Sequence, residues 1–159
     1  MASSTSDKEY LQKLKIFANF KPKELEFLTT VSDFEDFKKG ELIVKEGESG
    51  NCMYVIVSGS VRVFHDSGGK SFKLANLQTG DFFGELALVD PFPRSASIIA
   101  EEDCQLLRIA QTTVGVLAGA SPRTAIKLLV AIGHSLAARL RAGNRKYYDL
   151  ILLGHNAAE

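Results

Sequence analysis

From Phe82 to Ala100 the chain reads FFGELALVDPFPRSASIIA, a pattern of strand, glycine, short apolar turn, proline-rich loop, arginine and strand. Gly84 has no Cβ and can let the backbone pass close to a ligand. The four residues after it can form one helical turn, whose first amide groups lack internal partners and point toward anions. Arg94 follows two prolines that stiffen the loop, and its planar guanidinium suits a phosphate. The stretch therefore predicts a small site for a ligand with hydroxyl groups and an anionic phosphate.

The segment FGELAL, a short spacer and PRSA together resemble the phosphate-binding cassette of the cyclic-nucleotide-binding domain family, in the same order and without a gap. The resemblance extends over nearly the whole chain, from the first helix near Tyr10 to the last helix. A second turn-and-strand pattern of the family is present in GESGNCMYVIVSGSVRV, from Gly47 to Val63. The resemblance implies an antiparallel, jelly-roll-like barrel that holds a nucleotide.

The resemblance also implies roles for individual residues. Glu85 would accept a hydrogen bond from the ribose 2′-hydroxyl, and Arg94 would pair with the cyclic phosphate. Ser95 and Ala96 would offer backbone amides to the same phosphate, and Ser95 a hydroxyl as well. By themselves, Glu85 can also be a carboxylate favoured at a helix start, and Arg94 a solvated loop residue. The predicted ligand-binding residues are Phe83, Gly84, Glu85, Leu86, Ala87, Arg94, Ser95, Ala96, Asn144 and Tyr147.

The composition indicates one domain without a strongly charged surface. The chain has 159 residues, enough for a hydrophobic core, and its 19 basic residues balance 19 acidic ones. No apolar run reaches the roughly 18 to 20 residues that span a bilayer. Residues Met1–Ser6 are polar and predict a flexible tail rather than a signal peptide. Cys52 and Cys104 are expected to be reduced core residues of a cytoplasmic protein.

The apolar pattern predicts an α+β fold. Between residues 34 and 110 its period is near two, and glycine turns separate the segments, as in a sandwich or barrel. The expected fold is an antiparallel β-roll, jelly-roll-like, flanked by N-terminal helices and a long C-terminal helix. Residues 7–110 would hold the N-terminal helices and the β-roll, and residues 111–159 the C-terminal helices of the same domain. The predicted strands are 34–37, 42–45, 53–57, 61–65, 72–77, 95–100 and 106–109.

A long final helix is predicted to begin with Ser121 as cap and Pro122 in the first turn. Two series with seven-residue spacing form a narrow seam on it, of the kind that packs against another helix. The seam predicts a homodimer, with the β-roll as the other surface it can cover. Gly143 is a place where the helix can bend or fray. The two series are Leu129, Leu136, Gly143 and Leu150, and Gly133, Leu140, Tyr147 and Gly154.

The same helix is the predicted lid and signal carrier. Nothing in the β-roll pattern obviously covers a purine base. Asn144 can hydrogen-bond an adenine edge and Tyr147 can stack on it, since base–aromatic stacking contributes roughly 1–3 kcal/mol. Tyr147 and Tyr148 can equally be core or seam aromatics. In the family the helix after the barrel swings against the bound base, which implies that ligand binding is relayed through this helix.

The residue after the arginine bears on the choice of nucleotide. Family members that prefer cyclic GMP often have threonine there, most cyclic-AMP kinase domains have alanine, and bacterial cyclic-AMP activators have serine. Ser95 therefore predicts a preference for cyclic AMP with modest discrimination against cyclic GMP.

Other features exclude some classes of function. His65, His134 and His155 lack metal-ligand spacing, and no nucleophile–base arrangement is visible, so no enzyme, metal or cofactor is predicted. The basic run Arg139, Arg141, Arg145 and Lys146 is interpreted as a solvated helix face, with a partner or nucleic-acid contact as the alternative.

No recognition helix fits after Gly154 and no transmembrane segment precedes the β-roll, so neither direct DNA binding nor a membrane is expected. The predicted function is reversible binding of cyclic AMP, possibly cyclic GMP, by a regulatory module with an unidentified downstream protein. The alternatives are a ligand-free scaffold or dimerisation domain, and the sensor fragment of a larger regulator.

Overall fold

The computed structural model describes residues 5–157, and it begins with a small helical layer. Helix α1 spans Thr5–Gln12, a 3₁₀ turn spans Lys15–Phe17 and helix α2 spans Pro22–Thr30. Helix α1 starts two residues before position 7, the predicted start of the domain. Of the predicted tail, residues 1–4 lie outside the described residues. Pro22 occupies the first turn of α2, where its missing N–H costs nothing.

Eight antiparallel strands follow among the described residues: β1 Asp33–Phe37, β2 Leu42–Val44, β3 Cys52–Ser58, β4 Ser60–Ser67, β5 Lys70–Gln78, β6 Phe82–Phe83, β7 Ser97–Ala100 and β8 Cys104–Ala110. They form two four-stranded sheets, in the orders β1-β8-β3-β6 and β2-β7-β4-β5. The predicted α+β fold with an antiparallel β-roll is therefore confirmed, as two facing sheets rather than a closed barrel. The period-two pattern predicted seven of these strands; the remaining one, β6, has only two residues.

Strand β3 lies between the two hydrophobic cores. Its alternate residues point to opposite faces. Tyr54 and Ile56 pack between the two sheets with Val61, Ile98 and Leu106. The other face of β3 packs against the helices, in a cluster with members from α1, α2 and the two C-terminal helices. Because β3 is buried on both faces, it fixes the β-roll to the helical layer.

Helix α4 spans Gln111–Ala120, and helix α5 spans Pro122–Asn156 without interruption at Gly143. The predicted start of α5 is confirmed, with Ser121 at the cap position and its hydroxyl 2.7 Å from that of Thr124. The first third of α5 is anchored. Its buried residues are Thr124, Ala125, Leu128 and Ile132.

An ion pair adds to this anchor. Lys127 Nζ lies 2.6 Å from Glu24 Oε2 on α2, and this hydrogen bond lowers the pKa of Glu24 below its ordinary value. Most of the predicted seam lies outside the anchored face: Leu129 is 44% exposed and Leu140 and Leu150 are each 66% exposed, whereas Leu136 packs against the core.

Candidate ligand-binding site

The loop after β6 turns sharply at Gly84, whose φ of 76° lies in the left-handed region that favours glycine. Glu85 follows as the cap of a one-turn helix, α3, spanning Leu86–Val89. Phe83 holds the start of this turn in the core, because its ring stacks on Tyr54 with 5.3 Å between centroids. The predicted order of strand, glycine and apolar turn is present.

Arg94 folds inward, as predicted. Its Nη2 donates to the carbonyl oxygen of Cys52 at 2.8 Å, and its Nη1 donates to that of Gly84 at 3.3 Å. Two backbone hydrogen bonds fix the residue itself, from Arg94 N to Glu48 O and from Gly47 N to Arg94 O. In the described part of the chain no carboxylate forms an ion pair with Arg94. The guanidinium is therefore held in place by neutral groups and keeps its full positive charge for an anion.

Two glycines make room for this guanidinium. A Cβ at Gly84 would lie 2.5 Å from Nη1 of Arg94 and 3.1 Å from the Cys52 oxygen. A Cβ at Gly50 would overlap the Nε and Cζ atoms of Arg94. In the sequence, Gly50 is one of several glycines in predicted turns. The spacing of a turn shows where a glycine is needed locally, and it does not show which distant side chain passes over it.

A cavity of about 240 Å³ opens beside Arg94, between the β2–β3 loop and the open end of the β-roll. Its charged lining residues are Lys45, Glu48, Arg94 and Arg108. Three cations and one carboxylate give this cavity a positive charge. Tyr54 also lines it; burial, followed by the neighbouring Cys52 and Glu35, raises the pKa of Tyr54 above its ordinary value. Its phenol is therefore neutral at physiological pH.

Glu85 is 5% exposed and its carboxylate binds an arginine from α5. Nη1 of Arg139 lies 2.7 Å from Glu85 Oε1, and Nη2 of Arg139 donates to the Phe82 oxygen at 2.9 Å. The guanidinium carbon also lies 5.1 Å from the centroid of the Phe82 ring. The second carboxylate oxygen, Oε2, accepts no hydrogen bond from the described residues. One oxygen of Glu85 thus ties α5 to the cassette, and the other is available to a hydroxyl.

Arg139 is partly solvated, as predicted for the basic run, but its guanidinium also contacts the cassette; its side chain is 45% exposed. The residue continues the seven-residue series Ala125 and Ile132, both of which are buried. Arg139 therefore lies on the face of α5 that packs against the domain. This periodicity was a usable signal, but the neighbouring basic residues obscured it; Arg141, Arg145 and Lys146 are exposed, as predicted for that run.

The structure brings only some of the predicted site residues together. Arg94 Nη1 donates to the Gly84 oxygen, Phe83 and residues 85–87 adjoin Gly84 in the chain, and Ser95 and Ala96 follow Arg94. Of the ten predicted residues, only Arg94 lines the cavity beside it. Asn144 and Tyr147 are exposed on α5, and Tyr147 is 66% exposed. At 1.5 Å per residue, Tyr147 lies about 12 Å further along the helix axis than Arg139. Neither residue lines the cavity beside Arg94.

Comparison with known proteins identifies this arrangement. The sequence profile of the Cyclic nucleotide-binding domain matches residues 34–118, more than half of the chain, from β1 into α4. The chain belongs to the cyclic nucleotide-binding domain family. The match contains the whole cassette, including Gly84, Glu85 and Arg94, while Arg139 lies outside it.

Relatives of this cyclic nucleotide-binding domain include a receptor protein and a protein kinase. It is 32% identical over 126 residues to the cyclic AMP receptor protein of Thermus thermophilus, covering 79% of this chain and 55% of the relative. It is 38% identical over 96 residues to a cGMP-dependent protein kinase of Toxoplasma gondii, covering 60% of this chain and 9% of the relative. The matched part of the chain therefore corresponds to about a tenth of the length of one relative and to little more than half of the length of the other.

A solved structure shares the fold. The regulatory domain of Toxoplasma gondii PKA, crystallised with cAMP, superposes with a TM-score of 0.66 at 26% identity, covering 82% of this chain and 49% of that one. Within residues 5–157 of the cyclic nucleotide-binding domain, no helix has the length and apolarity to cross a membrane. Over the same residues no group of His, Cys, Asp and Glu side chains is placed to hold a metal ion.

Proposed function

We propose that this chain is a regulatory module that reversibly binds a cyclic purine nucleotide, preferably cyclic AMP, without catalysing a reaction. The observation that carries the proposal is Arg94, an inward arginine held by two carbonyl groups and paired with no carboxylate among the described residues. An unneutralised, partly buried charge is costly unless an anion joins it. A cyclic phosphate is such an anion and suits the planar guanidinium.

Each part of the cassette takes one part of the ligand. Arg94 pairs with the phosphate, Ser95 and Ala96 offer it their amides, and the turn formed by Gly84–Ala87 approaches it with backbone. The free oxygen of Glu85 accepts the ribose 2′-hydroxyl, because a carboxylate can accept hydrogen bonds on both oxygens. Phe83 keeps the turn in position. The N-terminal helices and β-roll of residues 7–110 and the C-terminal helices of residues 111–159 work as one domain.

Calorimetry with cyclic AMP and cyclic GMP tests the ligand. We expect saturable binding of both, with cyclic AMP tighter by about fivefold, the scale of one neutral hydrogen bond. The reason is Ser95, whose position after the arginine is threonine in many proteins that prefer cyclic GMP. Tighter binding of cyclic GMP in direct competition would contradict the preference.

The second candidate function is a scaffold that keeps the fold and binds no nucleotide. It is supported by the exposed apolar residues of α5, which suit an interaction domain. The unpaired Arg94 and the space that Gly50 and Gly84 leave for it argue against a pure scaffold. The same calorimetry separates the two, since a scaffold gives no heat of binding with either nucleotide.

The effect of ligand binding passes from the cassette to α5 through Arg139. This residue joins α5 to the carboxylate that receives the ribose, so a change at Glu85 reaches the helix through one hydrogen bond of 2.7 Å. A ligand shifts the helix only if its affinity differs between two helix positions. Such a difference arises if Arg139 contacts Glu85 in one position of α5 and not in the other. Asn144 and Tyr147, further along the helix, then cover the base when α5 closes.

The exposed side of α5 supports a homodimer. Nine large apolar residues from Ile126 to Leu153 are each at least half exposed: Ile126, Val130, Leu140, Tyr147, Tyr148, Leu150, Ile151, Leu152 and Leu153. A helix with this much apolar surface favours burial against a partner. In a dimer the seam of one copy packs against the seam of the other.

Cutting the chain after Ala142 tests the lid and the dimer together. The cut keeps the anchored face and Arg139, and it removes Asn144, Tyr147 and the apolar end. We expect the particle mass in light scattering to fall from two chains to one, and cyclic AMP affinity to fall about tenfold, the scale of one lost stacking contact. Asn144→Ala in the full chain is the control, because Asn144 lies outside the seam and its loss should weaken binding with the dimer intact. Unchanged affinity in both variants would show that the helix is not the lid.

A further inference from the structure

A second and larger cavity lies on the opposite side of β6 from Arg94. It has a volume of about 630 Å³ and is enclosed by the 3₁₀ turn, the end of the β5–β6 loop and one side of α5. This volume lies within the roughly 300–1,000 Å³ typical of sites for small molecules. The proposed nucleotide site uses none of this space, although Arg139 stands at the boundary between the two.

The floor of this cavity is apolar. Phe20 and Phe82 both line it and are 3% and 6% exposed. Ile16 and Ala131 extend the same surface. A flat ring or short hydrocarbon placed here would leave water and contact aromatic side chains, which is the main source of affinity in small-molecule sites.

The rim of the cavity carries three cations. Lys15, Lys127 and Arg139 line it together with one carboxylate, Asp81, and with His134. Lys127 already forms an ion pair with Glu24, and Asp81 Oδ2 already accepts a hydrogen bond from Gln78 N.

Two of these cations are available to a ligand. Lys15 has no ion pair within the described residues. Arg139 uses its two Nη atoms for Glu85 and Phe82, which leaves further N–H donors of its five for a ligand. An anion at the rim would therefore find donors without displacing an existing ion pair.

We propose that this cavity is a second binding site, which takes a small amphipathic anion: a ring system or short hydrocarbon that carries one carboxylate or sulfonate. The apolar part lies on Phe20 and Phe82, and the anionic group lies between Lys15 and Arg139. The site goes beyond the proposed nucleotide binding and does not depend on it. A failure of cyclic AMP to bind would leave this proposal standing, and a failure of this site would leave the cassette intact.

The probe is 1-anilinonaphthalene-8-sulfonate, an aromatic sulfonate whose fluorescence rises in an apolar site. Titrated into the full chain without nucleotide, it should saturate at one molecule per chain. The neutral N-phenyl-1-naphthylamine has the same rings without the charge and should bind about tenfold more weakly, because it gains nothing from Lys15 and Arg139. Equal affinity for the two probes would overturn the assignment to an anion.

A pair of matched variants locates the probe. Ala138 lines the cavity and is exposed, so Ala138→Phe fills space without disturbing the core and should weaken probe binding at least about tenfold. Ala142→Phe adds the same ring one turn later, outside the lining, and should change affinity less than about twofold. Unchanged binding by Ala138→Phe would place the probe elsewhere, on the exposed apolar side of α5, and reject the site.

A second pair keeps the test valid if Ala138→Phe does not fold. Lys15→Gln removes a rim charge, and Lys13→Gln removes an exposed charge two residues away that does not line the cavity. We expect about a threefold loss for Lys15→Gln and no loss for Lys13→Gln, since the attraction of one exposed cation is modest. Equal affinity of both variants for the sulfonate would remove Lys15 from the site and overturn the proposal.

Discussion

Replacing Arg94 with alanine is expected to lower cyclic AMP affinity at least about a hundredfold, since removing one member of a buried ion pair costs on the order of 3–5 kcal/mol. The ligand's phosphate would lose its counter-charge in a cavity whose remaining walls are mostly polar and partly enclosed. Arg94→Lys should recover only part of the loss, because lysine lacks the planar fork that binds two phosphate oxygens. Titration calorimetry on folded protein measures both variants.

The matched control for Arg94→Ala is Arg62→Ala. Arg62 lies on β4, and its Nε is 3.5 Å from Oε2 of Glu101, with both side chains 43% exposed. Removing it takes away one positive charge without touching the cassette. We expect its affinity for cyclic AMP to stay within about twofold of the wild type. A loss below about fivefold for Arg94→Ala would reject Arg94 as the phosphate ligand.

Gly84→Ala is expected to lower nucleotide affinity by about thirtyfold, roughly 2 kcal/mol. The added Cβ would lie 2.5 Å from Nη1 of Arg94, so the guanidinium must leave the place where it meets the phosphate. The left-handed φ of 76° adds backbone strain of about 1–2 kcal/mol, which destabilises the fold as well. Urea unfolding measures the strain, and calorimetry measures the loss of binding.

Gly40→Ala separates these two effects. Gly40 has a similar φ of 89°, and nothing lies within 4 Å of a Cβ built there. The variant should show the same loss of stability, about 1–2 kcal/mol, with nucleotide affinity unchanged. If both alanine variants lost affinity equally, the effect would come from general destabilisation, and the steric role of Gly84 would be wrong.

The cassette was predictable from sequence because its parts are local. Gly84, Glu85 and Arg94 stand within eleven residues, and each has a conformational or chemical preference that can be stated without knowing the rest of the chain. The strands were predictable for the same reason, since alternation and glycine turns are short-range signals. The two-residue strand β6 was predicted only as the start of the cassette, before Gly84, because it is too short to show a period of its own.

The partners of these residues were not predictable in the same way. Arg139 meets Glu85 across 54 positions of sequence, and the contact depends on how α5 crosses the β-roll. Gly50 and the Cys52 carbonyl meet Arg94 across more than forty positions. Sequence periodicity shows which face of α5 is buried. It does not show which residue of the β-roll that face contacts, because this depends on how the helix packs against the sheets. The predicted contacts of Asn144 and Tyr147 with the base remain predictions, because they require α5 to close over the bound nucleotide.

Helix α5 has the proportions of a lever arm. Its 35 residues extend about 52 Å at 1.5 Å per residue, and its end at Asn156 lies about 26 Å beyond Arg139. Every residue after Arg139 to the end of the described chain is exposed, so packing within the described chain does not hold this part of the helix in place. A tilt of only about 10° at Arg139 would carry the far end through about 4–5 Å at this length. If breaking the hydrogen bond between Arg139 and Glu85 tilts the helix by this amount, its far end moves by about the width of a side chain. A movement of this size would change the contacts of a protein bound at the end of the helix.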